Sequence, residues 1–324
     1  GFVESIYYYK APPYQLEKNS STSMEWAHMI PLFHWGISAW SIYCIPTVAL
    51  AYGFYVKKID NLSFSALLSS LTGISKNGIL SKVVDIIVVF CILGGMCTSL
   101  GIITPVLSAL MSSLMGWQND MALNLKIILT LALLFGLSTG LGMDRGLKAM
   151  SFLNTYLAIL FILFVLIAGP TTFILSISTN SIGLMISNFF RMSFYLDPVE
   201  KSGWPQDWTI FYWAWWIAYT PMMGIFVTKI SRGRTLKQLI LGMCLGGSLG
   251  CWFILSILGG YSLYLQKSGA LNLTQLIGEK GFDATVISIL TQLPFPEIVS
   301  VIFLLLAFVF TATTFDSSAY TLAE

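Results

Sequence analysis

From residue 83 to residue 115 the chain carries one charged side chain, Asp85. A helix crosses the hydrocarbon core of a bilayer in about 20 residues. This run is longer than one perpendicular span, so it calls for tilt or for a break in its glycine segment, Gly94-Gly95 to Gly101. Comparable apolar runs cover about residues 28–56, 123–141, 152–175, 208–228, 239–265 and 299 onward. They are continuous, without the inside–outside alternation of an outer-membrane barrel. Only 10% of the residues are charged, against about 25% in soluble domains. The chain is therefore expected to be an all-α polytopic membrane protein.

Residues 1–9 are expected to form the second half of a span, and 10–25 a polar loop with Pro12-Pro13. Residues 57–81 are expected to be a polar, basic linker. Residues 181–196 are short and amphipathic, which predicts an interfacial helix, and 267–297 a polar loop holding a short apolar segment. The chain opens on Gly1 and stops at Glu324 within a helical pattern, so an internal piece of a longer protein is expected. Alternating the spans collects Lys57, Lys58, Lys76, Lys82, Arg145, Lys148, Lys229, Arg232, Arg234 and Lys237 on one side. That side is expected to face the cytoplasm.

A net charge of +2 without a basic cluster gives no reason to expect a nucleic-acid partner. Cys44, Cys91, Cys97, Cys244 and Cys251 all sit in apolar runs without redox or metal spacing. His28 and His34 lie six apart, on different helix faces, and make a poor metal pair. No nucleophile–base set, phosphate loop or zinc motif is present. Neither an enzyme nor a cofactor is expected.

The chemistry concentrates at residues 207–235. Trp208, Tyr212, Trp215, Tyr219 and Met223 recur at helical spacing and share one face, with Trp216 at its edge. An interfacial belt accounts for Trp204 and Trp208. Trp215, Trp216 and Tyr219 lie about 10–17 Å further along a helix, where the alternatives are packing or a site. Pro221 and Gly224 predict a break at mid-depth. Membrane proteins tolerate such breaks only where they are buried or line a cavity. Stacked π faces suit a cation that has no N–H to donate, at about 0.5–2 kcal/mol per contact. Tyr7, Tyr8 and Tyr9 extend the theme beside an intramembrane acid, Glu4. Near the other end Thr311, Thr313, Thr314, Asp316, Ser317 and Ser318 form a polar run inside an apolar helix. Interhelical hydrogen bonding explains such runs; a small hard cation such as sodium is the functional alternative.

The segments FHWGISAW (33–40), TSLG (98–101), WTIFYWAWW (208–216) and ISRGRT (230–235) together resemble the betaine/carnitine/choline transporter family over the whole chain. The resemblance implies a leucine-transporter-type inverted-repeat fold truncated at both ends. Residues 1–178 would be the remainder of the first repeat, 179–207 an extracytoplasmic loop with an interfacial helix, and 208–324 most of the second repeat. It also implies a multi-pass protein of a prokaryotic cytoplasmic membrane, assembled as a homotrimer in the lipid bilayer. Its activity would be secondary transport of a small quaternary ammonium substrate: glycine betaine, carnitine, choline or a relative. The family's substrate box maps onto Tyr7, Trp215, Trp216 and Tyr219, with Trp208 at an outer site. Met223 is similar to the carnitine/γ-butyrobetaine antiporter branch, which needs no sodium. Asn154 and the Thr313 to Ser317 pattern depart from that branch. Phe310, Thr313 and Thr314 match a sodium site of the symporters. The resemblance thus implies sodium-coupled symport, with antiport as the alternative. A sensor or channel on the same fold, and an amino-acid:sodium symporter, are the remaining alternatives.

Overall fold

The computed structural model describes residues 1–59, 61–75, 77–141 and 144–323, with side chains described except at 135, 137–141, 144–150, 316, 317 and 319–323. Fourteen α-helices are described: α1 Glu4–Lys10, α2 Ser21–His34, α3 Ile37–Ala51, α4 Phe64–Thr72, α5 Ile79–Met115, α6 Met121–Leu141, α7 Asp144–Ala168, α8 Thr171–Ser193, α9 Phe211–Ile230, α10 Leu236–Leu241, α11 Ser248–Ser268, α12 Leu273–Glu279, α13 Gly281–Leu290 and α14 Pro296–Ala323. Three π-helical turns, Tyr52–Val56, Gln206–Ile210 and Gly242–Gly247, adjoin α3, α9 and α11. Among the described residues 7 helical stretches are long and apolar enough to cross a membrane. The protein is an all-α polytopic membrane protein.

Three local expectations change, and for the long run at 83–115 the unbroken alternative holds. The run at 28–56 is two helices, α2 and α3, with Trp35 and Gly36 between them. A side chain at Gly36 would put Cβ 2.5 Å from the Leu32 carbonyl oxygen and 2.9 Å from Trp252 Nε1, so this corner demands glycine. The linker at 57–81 contains α4. Ser63 caps α4 by accepting from the Ala66 amide at 3.1 Å, and Ala66 and Leu67 are buried. α5 runs unbroken through all three glycines for 37 residues, because in lipid an interrupted ladder leaves unsatisfied amides. The amphipathic segment at 181–196 is the second half of α8, which starts directly after Pro170. The whole of α8 has the length and hydropathy of a span.

Small residues let the helices meet closely. Gly224 of α9 faces α3, where a Cβ would lie 3.0 Å from Leu50 Cδ1. The same pair is tied by the Thr228 hydroxyl, which donates to the Thr47 carbonyl at 3.4 Å. Gly247 accepts the face of Trp40, which a Cβ would meet at 2.3 Å. Buried His28 joins α2, α8 and α11. Its Nε2–H donates to the Ser256 carbonyl at 3.0 Å, so Nδ1 accepts from the Ser181 hydroxyl at 2.8 Å. Arg191, in the last turn of α8, lies 4.5 Å over the ring of Tyr14 on the loop before α2, and burial pushes the Tyr14 hydroxyl above its usual range while Arg191 opposes the shift.

Candidate functional site

The expected helix break at Pro221 does not occur. α9 continues across Pro221 and Gly224 to Ile230, and Gly224 serves the contact with α3. The Thr220 hydroxyl donates to the Trp216 carbonyl at 3.1 Å. What opens at this depth is a space between helices rather than a gap in one.

A cavity of about 220 Å³ lies between α9, α3, α5 and α14, lined by Trp35, Tyr43, Ser99, Trp215, Trp216, Tyr219, Met222 and Thr314. Trp215, Trp216 and Tyr219 are therefore brought together as their spacing predicts. The ring of Trp35 stands edge-on to both tryptophans, 5.9 Å from Trp215 and 5.4 Å from Trp216. Tyr43 packs 4.6 Å from Trp216. The rings therefore meet at steep angles, as the quadrupoles of neighbouring aromatics prefer. Tyr219 is fixed at its tip. Its hydroxyl donates to the Gly95 carbonyl at 2.9 Å and meets Ser99 Oγ at 2.6 Å. Its ring needs the missing side chain of Gly95, where a Cβ would lie 3.0 Å away. The Trp215 indole N–H is buried and has no partner among the described residues.

Other expected residues lie elsewhere. Tyr7 packs against Trp208 at 5.7 Å, and neither lines the cavity. Trp208 sits in the π-helical turn ahead of α9, which takes it out of phase with the stripe, and Tyr8 closes on it at 4.7 Å. Met223 packs with the cluster around Tyr43 and Trp216, while its neighbour Met222 lines the cavity. Trp204, expected as an interfacial anchor, donates its indole N–H to the Ala11 carbonyl at 3.0 Å. It holds the loop after α1.

Of the polar run on α14, Thr314 reaches the cavity. Thr313 and Thr314 both donate to the Phe310 carbonyl, at 3.0 and 2.8 Å, while the Phe310 ring is 46% exposed. Asp316 and Ser317 lie outside the residues whose side chains are described, as does Arg145. Asn154 is buried and donates to the Leu306 carbonyl at 3.4 Å. Among the described residues no group of three His, Cys, Asp or Glu could hold a metal.

Sequence reasoning passed over a hydrogen-bonded chain behind the cavity wall. The Tyr8 hydroxyl donates to Glu4 Oε1 at 3.3 Å, and so does the Trp35 indole N–H at 3.3 Å. Tyr8 has one proton, so His34 Nδ1–H donates to the Tyr8 oxygen at 3.0 Å. His34 Nε2 then accepts from the Thr209 hydroxyl at 3.0 Å. Glu4 thus fixes Trp35, a wall of the cavity, and links α1 and α2 to the turn that begins α9.

The sequence profile described as BCCT, betaine/carnitine/choline family transporter, matches residues 1–324. A protein named carnitine transporter from Acinetobacter baumannii is 36% identical over 320 residues, which is 99% of this chain and 58% of that protein. The uncharacterized transporter YeaV of Escherichia coli strain K12 is 34% identical over 323 residues, 100% of this chain and 67% of that protein. The chain thus spans 58% and 67% of the two relatives' lengths. The aromatic cavity, the apolar helices and the match along the entire chain converge: the chain belongs to the betaine/carnitine/choline transporter family, whose members are membrane transporters rather than enzymes.

Proposed function

We propose that the protein carries a quaternary ammonium zwitterion across the cytoplasmic membrane by alternating access, and that the aromatic cavity holds the quaternary nitrogen. The observation that supports this most is the cavity itself, walled by Trp35, Tyr43, Trp215, Trp216 and Tyr219. A quaternary nitrogen cannot donate hydrogen bonds, and π faces attract it at about 0.5–2 kcal/mol per ring. The buried Trp215 N–H without a partner is a donor for the anionic end of such a solute. A buried donor left unpaired costs about 1–3 kcal/mol, so a carboxylate there is favoured. Tyr7 and Trp208, packed together outside the cavity, form an outer approach in this reading.

Sodium is the coupling ion in this proposal. Thr313, Thr314 and the Phe310 carbonyl gather oxygens on one turn of α14, and Thr314 joins that turn to the cavity. The second reading is sodium-independent antiport; a relative bearing the name carnitine transporter supports carnitine as the substrate in either reading. The test is uptake of labelled glycine betaine and carnitine into vesicles holding the full-length protein, with sodium present or replaced by potassium. Uptake that needs sodium supports symport. Uptake that ignores sodium but needs preloaded substrate supports antiport, and substrate binding without flux would point to a sensor. A homotrimer completes the proposal, checked by the mass of the solubilised full-length protein.

A further inference from the structure

A second cavity of about 570 Å³ opens away from the aromatic one, between the start of α2, one face of α8 and the end of α11. Its character is opposite. Buried Met24 and Ile177 form an apolar floor beside Phe173, while Glu25, Asn180 and Lys267 stand exposed around it. On α8, Phe173, Ile177 and Asn180 follow spacings of four and three, which sets them on one face. Tyr9 lines the same space with its ring 6% exposed, and its hydroxyl takes no hydrogen bond among the described residues. Glu25 and Lys267 face one cavity without forming an ion pair with each other or with another described residue. The Lys267 ammonium rests 5.0 Å over the Phe173 ring.

Opposite charges that share a cavity but do not meet suit a ligand that carries both signs. A carboxylate binds most strongly to a cation that donates N–H, and an ammonium to an anionic oxygen. A quaternary nitrogen gives Glu25 no hydrogen bond, so the two cavities differ in the cation they prefer. We infer that this second cavity binds a zwitterion with a primary ammonium, the ammonium on Glu25 and the anionic group on Lys267 and Asn180, with the Tyr9 hydroxyl as a further partner. This chemistry is shared by the headgroup of phosphatidylethanolamine and by a free amino-zwitterion. Leu175, Ile182 and Ile186 make the neighbouring outer surface of α8 apolar, which favours the lipid as the source.

The test uses the full-length protein in two arms. In phospholipid-free detergent, calorimetry with O-phosphoethanolamine is expected to show saturable binding about tenfold tighter than with phosphocholine, the worth of roughly one charge-assisted hydrogen bond. Glu25→Gln and Lys267→Ala change exposed side chains, so folding is retained, and each is expected to weaken that binding at least about tenfold. In nanodiscs, replacing phosphatidylcholine by phosphatidylethanolamine is expected to raise the thermal midpoint of the wild type but not of either variant. A raised midpoint assigns the site to lipid; probe binding with a flat midpoint assigns it to a free solute. Equal affinity for the two soluble probes, binding unchanged in both variants, or no response in either arm overturns the inference.

Discussion

The two ends of the aromatic segment from Trp208 to Tyr219 carry the same residue types and meet opposite fates. At the Trp208 end the rings close on one another. Tyr7 and Tyr8 close on Trp208 at 5.7 and 4.7 Å, and His34 stacks on Tyr212 at 4.7 Å. Beneath them Glu4, Tyr8, His34 and Thr209 join their polar atoms in a chain. At the Trp215 end the facing helix offers Gly95 and Ser99. Space remains, and the Trp215 indole N–H is left over. Helical spacing decides which rings share a face. The size of the residues opposite decides whether that face becomes a wall or a room.

The sharpest way to break this comparison is to exchange a ring in each half. Trp216→Leu removes a wall ring and is expected to weaken betaine or carnitine binding by at least about 30-fold, roughly 2 kcal/mol. Trp208→Leu is expected to change binding only a few-fold while lowering thermal stability; equal losses in a binding isotherm would merge the two halves into one site. Next comes the room itself. Gly95→Ala pushes a carbon to 3.0 Å from the Tyr219 ring, at a cost of about 1–3 kcal/mol, and is expected to weaken binding about tenfold. Gly94→Ala meets nothing within 4 Å and serves as the silent control. If both substitutions are silent in the same assay, Tyr219 is not held in place by α5.

Tyr8→Phe tests the filled half. It strands Glu4 and His34 without their shared hydroxyl, so a stability loss of about 1–3 kcal/mol is expected, with affinity nearly unchanged. A thermal melt and a binding isotherm on the same sample decide it; affinity falling alone would move the chain of hydrogen bonds into the site. The smallest effect is expected from Arg191→Gln, which removes the cation over Tyr14. It should lower stability by about 0.5–1 kcal/mol, read as a small shift of the melting midpoint.

Much of the fold was legible because bilayer-length apolar runs leave few options. α4 was hidden because nine residues with several serines resemble a linker until Ala66 and Leu67 find a surface to cover. The break expected at Pro221 was misplaced for one reason. Glycine and proline permit an interruption, yet in an apolar setting the helix keeps its hydrogen bonds unless packing forces a corner, as it does at Gly36. At the cavity, spacing put Trp215 and Tyr219 on one face with Trp216 at its edge, but it put Trp208 and Met223 there too. Trp35 and Tyr43 lay within or near the quoted 33–40 motif, but their convergence on Trp216 depends on the corner at Gly36. Met222 and Met223 stand three and four places after Tyr219, and both positions neighbour it on a helix; packing, rather than spacing, chose Met222. Nothing in the sequence marks Ser99 as the partner of Tyr219.

α5 has a mechanical consequence. At 37 residues it is a rod about 55 Å long, nearly twice the roughly 30 Å of a hydrocarbon core. Gly95 and Ser99, its two contacts with Tyr219, fall close to its midpoint. A pivot of about 10° at that fulcrum would sweep each tip of a straight helix this long through about 5 Å, given the rise of 1.5 Å per residue. The point gripping Tyr219 would barely shift. In the proposed transport cycle, such a geometry would let the two mouths of a passage trade places while the grip at the centre is kept.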